Sequence, residues 1–377
     1  MEVSKTKQKN ESKKIRIETE KIIKESTLLN TMCNMIKEQT IENKYEPICI
    51  KIKNTGRIIN KIIHIADIHI RLSTRHKEYE EVFEEFYNEL VYIKMSEPNC
   101  IVCLCGDLLE SKDELKPDTI IMTWNFLKNI STIFPLILIS GNHDRIEQND
   151  NKIDSIQSII NERPIDNIHY LRNSGVYIYE NIIFGVSSIV DKYMLHVDKL
   201  NSLLEENYPD INKQENIIKI ALYHGGVENA TNNFNFILPN CINMSEFGIY
   251  DYILLGDIHK FQYLNKEKTI AYSSSMISQN FGETDDNHGY LEWDLLNNFS
   301  KYHILHNRYA FNKININKIV NSNLDIDTNL IKKFLPKLDS GYLKIEFELE
   351  SIRQYELKSQ INEHYPRLSI IFNQLYD

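Results

Sequence analysis

Ile139-Ser140-Gly141-Asn142-His143-Asp144 follows directly on the apolar run Pro135-Leu136-Ile137-Leu138-Ile139. A short β-branched run stopped by glycine predicts a buried strand that empties into a loop. The loop then carries an amide oxygen, an imidazole and a carboxylate, at the place where open α/β sheets present their ligands. Taken alone, Asn142, His143 and Asp144 are equally compatible with turn chemistry, the Asn and Asp bracing the backbone. Recurrence decides between the two readings, because four other apolar runs end in the same kind of residue.

Upstream, Ile62-Ile63-His64-Ile65-Ala66 leads into Asp67-Ile68-His69. Side chains two apart at the end of an extended segment point the same way, so Asp67 and His69 can chelate one ion together. His64, inside the strand, is read as a packed core histidine. The run from Cys100 to Leu104 ends in Cys105-Gly106-Asp107, where glycine permits a sharp exit and the carboxylate offers two oxygens, as a bridge between two ions requires. Downstream, Ile217 to Tyr223 runs into His224-Gly225-Gly226, and Tyr252 to Leu255 runs into Gly256-Asp257-Ile258-His259, a second Asp-x-His. His196, His288, His303 and His306 have no such context and are read as surface or packing residues. Cys103 and Cys105 share one face of their strand and are read as buried thiols.

Between these runs lie helical patterns. Tyr79, Val82, Phe83, Phe86, Leu90 and Ile93 recur at helical spacing within Glu78 to Met95, and Pro117 opens a second helix that extends to Ile130. A polar helix is expected from His196 to Asn207, and Gly175 to Tyr179 with Ile182 to Val186 reads as a hairpin. Strand, helix, strand in succession predicts a parallel sheet with crossover helices. Three regions are expected: a polar basic extension over 1–60, with one weakly amphipathic helix between Ile15 and Lys37; a catalytic core over 61–298; and a small α+β unit over 299–377. In that last unit Leu330 to Leu335 and Ile352 to His364 read as helices, Tyr342 to Leu349 and Leu368 to Phe372 as strands.

At 377 residues and 42% apolar content the chain can bury a sizeable core. No run approaches the roughly 18 apolar residues of a membrane span, and Met1 to Lys14 lacks the apolar centre of a secretion signal. An intracellular, non-membrane protein is therefore expected, and six cysteines in so long a chain do not point to a disulfide framework. The net charge of -10 is uneven: residues 1 to 61 hold 14 Lys and Arg against 8 Glu. Carboxylates gathered to hold cations contribute to such acidity, and a bound metal reverses the local sign, so global charge does not exclude a nucleic-acid partner.

The five strand ends together offer Asp67, His69, Asp107, Asn142, His143, His224, Asp257 and His259. Their order and contexts resemble the calcineurin-like metallophosphoesterase superfamily over about Ile62 to Leu295. A finer resemblance, to the SbcD-type nuclease branch of double-strand-break repair, rests on three stretches: Gly106-Asp107-Leu108-Leu109-Glu110-Ser111, Ile258-His259-Lys260-Phe261-Gln262, and Ala271 to Asp294. The chain departs from that pattern at Asp257, where the family usually has His, at Glu110, where it often has His, and at Ser273-Ser274, which replaces a common Pro-Gly.

The resemblance implies an α/β fold, a metallophosphoesterase-type layered β-sheet core flanked by helices, with a small α+β capping domain. It implies two divalent metal ions, with manganese the best match to the mixed oxygen and imidazole donors and zinc or iron the alternatives. One ion would be held by Asp67, His69, Asp107 and His259, the other by Asp107, Asn142, His224 and Asp257. His143 would protonate the leaving oxygen or stabilise the transition state, and Asp144 would hold the turn. The activity implied is exo- or endonucleolytic hydrolysis of DNA in repair or processing, and the partners implied are DNA, a coiled-coil SMC-like ATPase subunit and a second copy of the chain. Two other readings fit the same residues: hydrolysis of small phosphodiesters or phosphoproteins, and a non-catalytic DNA-end-binding scaffold.

Overall fold

The computed structural model describes residues 46–71, 75–145, 153–190, 195, 197–211, 214–239, 241–283, 288–315, 340–347, 358–359, 361–363 and 365–374. All of them but Glu46 belong to one unit, Pro47–Asp377. The helices expected within 15–37 and 330–335, and His196, lie outside the described residues.

In chain order the elements are β1 (Ile48–Lys53), β2 (Lys61–Ile65), α1 (His76–Ser96), β3 (Cys100–Cys105), α2 (Pro117–Ile133), β4 (Leu136–Ile139), α3 (Ser155–Glu162), β5 (Ile168–Tyr170), β6 (Gly175–Tyr179), β7 (Ile182–Ser187) and α4 (Val197–Asn207). There follow β8 (Ile218–His224), β9 (Tyr252–Gly256), β10 (Gln262–Tyr263), β11 (Ile270–Tyr272), β12 (Gly289–Asp294), β13 (Phe299–Ile304), β14 (Tyr309–Asn315), β15 (Ser340–Phe347) and β16 (Leu368–Gln374). They make a seven-stranded sheet β1-β6-β7-β8-β9-β11-β10, a six-stranded sheet β13-β12-β2-β3-β4-β5, and a separate parallel sheet β14-β15-β16.

Strand β3 explains the layering. Cys100, Val102 and Leu104 join one apolar cluster with Tyr79, Phe83, Phe86 and Leu90 of α1 and Phe126 and Leu127 of α2. Ile101, Cys103 and Cys105 join a second, with Tyr177 and Phe184 of β6 and β7 and with Ile220 and Leu222 of β8. Period-two alternation thus sends one set of side chains toward the helices and the other toward the opposite sheet. A third cluster packs Leu200 and Leu204 of α4 onto the far face of the seven-stranded sheet. The result is four layers, helix, sheet, sheet, helix.

The layered α/β core is as expected, but the single parallel sheet is corrected to two mixed sheets. A strand buried on both faces reads as one unbroken apolar run whichever sheet covers it, so the sequence pattern does not reveal the second sheet. Two regional expectations also differ from the fold. Ile48–Lys53, inside the expected extension, is an edge strand parallel to β6, and Phe299–Ile304, inside the expected appendage, pairs antiparallel with β12 in the core sheet. The turn between β12 and β13 is closed by Asp294, whose carboxylate accepts from the backbone and side-chain N–H of Asn297.

Candidate metal centre

All eight strand-end residues lie at the carboxyl ends of β2, β3 and β4 in one sheet and of β8 and β9 in the other, so the site straddles the two sheets. The chain turns sharply there. Asp67, His69, Asp107 and Asp257 have φ of 54°, 49°, 51° and 95°, a left-handed region that costs roughly 1–3 kcal/mol for a residue other than glycine and that clusters at functional sites. Two glycines make the close approach possible: a Cβ on Gly141 would collide with the Asp107 carboxylate, and one on Gly106, itself at φ 86°, with the His224 ring.

Asp107 sits at the centre. Its Oδ2 lies 3.5 Å from His69 Nε2 and 3.4 Å from His224 Nε2, while its Oδ1 accepts from the His143 amide at 2.9 Å. Asp67 faces the same space, and both its oxygens accept from the Asp257 amide, at 3.0 and 3.2 Å. Asn142 Oδ1 lies 3.0 Å from His224 Nε2. Asp257 is the outlying member, its Oδ1 3.8 Å from His224 Nε2 and its side chain partly exposed.

Two of the imidazoles are fixed from behind by hydrogen bonds, and the third stands against a carboxylate. His224 Nδ1 donates to the Cys105 carbonyl at 2.8 Å, so its Nε2 carries the lone pair that faces Asp107, Asn142 and Asp257. His259 Nδ1 is held by Glu283 Oε1 at 2.7 Å, and His69 Nδ1 lies 3.0 Å from Glu110 Oε2. The two Nε2 atoms of His69 and His259 then meet at 3.1 Å. Two lone pairs at that distance repel, as does a lone pair set against carboxylate oxygens, unless a proton or a cation lies between them. Asp67, His69 and His259 form one group of converging donor atoms and Asp67, Asp107 and His224 another. The donor set therefore fits divalent cations on two independent counts: orientation of the lone pairs, and carboxylates that converge, among the described residues, without a lysine or arginine paired to them at their centre.

Protonation follows the same logic. Burial works to lower both His224 and His259, but Asp107, Asp67 and Asp257 push His224 well above its usual value, and Glu283, Asp67 and Asp107 raise His259 to about 9. Asp107 is held below the usual carboxylate range, because His224, His69 and the His143 amide outweigh its burial. Protons thus stand where cations would bind, and the two compete.

The remaining expectations divide cleanly. Asp144 is fully buried and accepts from the amides of Gly141, Leu108 and Leu109 at 2.9, 3.2 and 2.9 Å, so it ties the two loops together as a turn residue. Burial and the charge of Asp107 lift it to about 7. His143 Nδ1 donates to the Glu110 carbonyl at 2.8 Å, leaving Nε2 as its working atom. His64 is buried, its Nε2 3.1 Å from the Leu255 carbonyl, and burial lowers it to about 3. His288, read as a surface or packing residue, is buried beside Ser275 and 3.7 Å from Glu283. Ser274 stands at φ 72°, its hydroxyl 2.6 Å from that of Tyr302.

The carboxylates behind the imidazoles are the functional residues that sequence reasoning misses. Glu283 lies in a stretch that carries only the resemblance, and Glu110 stands out there as a departure without a role. Glu110 also pairs with Arg71 at 3.1 Å and forms a third group of donors with His69 and His143. The signal for such residues is spatial, since Glu283 is 24 positions from His259.

The family model of the calcineurin-like phosphoesterases matches residues 60–261, which include all eight strand-end residues. The chain belongs to that family. An uncharacterized protein of Acanthamoeba polyphaga mimivirus is 38% identical over 306 residues, 81% of this chain and 21% of its own length. One component of the SbcCD nuclease of Staphylococcus epidermidis, SbcD, is 26% identical over 254 residues, 63% of this chain and 67% of its own. The chain thus spans about a fifth of the mimivirus relative, and its similarity to the bacterial nuclease component agrees with the SbcD-type branch. Among the described residues of this calcineurin-like phosphoesterase, no helix is long and apolar enough to cross a membrane.

Glu283 gives a direct check on the second layer of this phosphoesterase. Glu283→Gln is expected to weaken manganese binding about 10- to 100-fold, the usual cost of losing a carboxylate behind a histidine ligand, as measured by calorimetric titration. The same variant isolates a pH effect in chelator. A histidine raised from about 6.5 to about 9 in the fold contributes stability that is complete below pH 6.5 and lost as pH rises toward 9. The melting temperature should therefore fall between pH 6.5 and 8 in the wild type and fall less in Glu283→Gln; identical slopes would remove Glu283 from this role.

Proposed function

We propose that this chain hydrolyses phosphodiester bonds in DNA with two divalent cations, manganese the best match. The observation that carries this reading is the convergence on one space of three Nε2 atoms and the carboxylates of Asp67 and Asp107, with His224 and His259 held from behind by a hydrogen-bonded oxygen and His69 set against Glu110. Asp67, His69, Asp107 and His259 would hold one cation, and Asp107, Asn142, His224 and Asp257 the other. Such a pair supplies Lewis-acid charge on the phosphoryl oxygens and a water acidic enough to attack phosphorus in line.

The chain's own groups do the rest. Asp107, its second oxygen fixed by the His143 amide, keeps the two halves of the site in register. His143 has its Nδ1 proton committed to the Glu110 carbonyl, so Nε2 is the atom that delivers a proton to the leaving oxygen or bonds to a non-bridging one. Similarity to a protein named as part of a nuclease supports DNA as the substrate, and by the same argument a partner protein. Manganese-supplemented hydrolysis of a DNA oligonucleotide, bis(4-nitrophenyl) phosphate and 4-nitrophenyl phosphate tests the reading. We expect cleavage of the first two and little of the third; preference for the monoester, or inertness toward all three, would overturn it.

Asp257 is the ligand that departs from the family pattern. Exchanging it for a softer donor, Asp257→His, should keep two ions per chain and shift preference from manganese toward zinc, read by metal analysis after equilibration with both. An unchanged preference would mean that the Asp257 carboxylate does not ligate.

A further inference from the structure

The segment after β8 carries a pair of rings that no part of the core covers. Phe234 and Phe236 are 57% and 69% exposed, and Ile237 beside them is 70% exposed. Exposed phenylalanines cost solubility, and two of them one residue apart on a single loop call for a partner. The loop is not a loose excursion. Thr231 and Ile237 form an antiparallel bridge across it, Asn232 N–H donates to the Phe236 carbonyl at 3.0 Å, and the Asn232 side-chain oxygen accepts from the amides of Phe234 and Phe236 at 2.9 and 3.1 Å. The rings are thus presented on a preformed scaffold, which lowers the ordering cost of a ligand that packs on them.

That scaffold is bolted to the candidate centre. Gln262 accepts from the Thr231 amide at 2.9 Å through Oε1 and donates to the Thr231 carbonyl at 2.9 Å through Nε2. Lys260 Nζ reaches Thr231 Oγ1 at 3.2 Å and Asn235 Oδ1 at 2.5 Å. Lys260 follows directly on His259, whose Nε2 faces the cation space, and the loop itself begins at Thr231, seven residues after His224 in the sequence. Two aromatic rings thus stand on a loop that is hydrogen-bonded to Lys260, the residue next to His259.

From this juxtaposition we infer that the loop from Thr231 to Leu238 is a stacking platform for unpaired nucleobases. The inference rests on the phosphodiesterase reading and adds to it a binding subsite on this loop. A base offers a π-face to each ring irrespective of sequence, and the backbone phosphate between bases matches the ammonium of Lys260. Paired bases cannot stack on an external ring without unstacking, so the platform discriminates against a blunt duplex. Glu228, the acidic group on the same segment, is engaged by the Met244 amide at 3.3 Å.

The test uses the full chain and fluorescence anisotropy in chelator at fixed salt, so that no probe is consumed, with three labelled probes: a (dT)12 strand, an abasic strand of equal length, and a blunt duplex. The wild type should bind (dT)12 at least about 5-fold more tightly than the abasic strand, the lower end of the range for stacking one base on one ring. The Phe234→Ala, Phe236→Ala double variant should lose that preference while holding the abasic strand as before. Phe234→Trp, which keeps a ring, should keep the preference, and its added fluorescence should be quenched by (dT)12. Equal binding of (dT)12 and abasic strand by the wild type, a preference that survives the double alanine variant, or an unquenched Trp would each overturn the platform. The tryptophan variant decides the matter if the alanine variant fails to fold. Hydrolysis of bis(4-nitrophenyl) phosphate is followed in parallel: a chain that hydrolyses it but ignores bases loses only the platform, whereas one that binds bases but hydrolyses no diester loses only the phosphodiesterase reading.

Discussion

Asp107→Ala should abolish hydrolysis of every phosphodiester and reduce bound manganese below two ions per chain. One carboxylate oxygen lies at nearly equal distance from His69 Nε2 and His224 Nε2, so its removal takes an oxygen from both halves of the site at once. The other oxygen accepts from the His143 amide, and that bond is lost as well. His224 is left facing fewer carboxylates, and burial then lowers its affinity for protons. We expect a rate loss of at least about four orders of magnitude, since proton transfer and charge stabilisation both depend on the missing group. Metal analysis beside the rate separates causes: two ions retained with normal turnover would contradict the bridging position of Asp107.

His143→Asn should leave manganese content near that of the wild type and lower the rate by roughly two to four orders of magnitude, the range for a positioned acid or base. The difference from Asp107 follows from where the two side chains are anchored. His143 is fixed through Nδ1 to a backbone carbonyl and meets His69 edge-on, ring centroids 4.9 Å apart, so it stands beside the donor groups. Its backbone amide, which holds Asp107, survives the substitution. Loss of an ion in His143→Asn would make His143 a ligand and assign the proton transfer elsewhere.

Local features of the chain are legible in the sequence because they depend on local physics. The apolar period of Tyr79, Val82, Phe83, Phe86, Leu90 and Ile93 marks a helix with one buried stripe, and those residues are buried in α1. The strand ends are readable because glycine and polar residues interrupt runs that otherwise fill both faces of a strand. What escapes the sequence depends on distant pairing. Nothing in Phe299-Ser300-Lys301-Tyr302-His303-Ile304 shows that it pairs with Gly289–Asp294 and not with the strands that follow. Ile48–Lys53 is an edge strand whose mixed burial resembles that of an extension. Glu110 and Glu283 acquire meaning only once His69 and His259 lie against them, 41 and 24 positions away in the sequence.

The most direct test of two-metal hydrolysis at this centre is a manganese titration of DNA cleavage by the purified chain, with bound metal counted at each point. We predict no cleavage of a single-stranded oligonucleotide in chelator and a rate that rises with manganese and levels off as the second ion binds. Cleavage indifferent to chelator, or two ions bound with no cleavage of any phosphodiester, would contradict it.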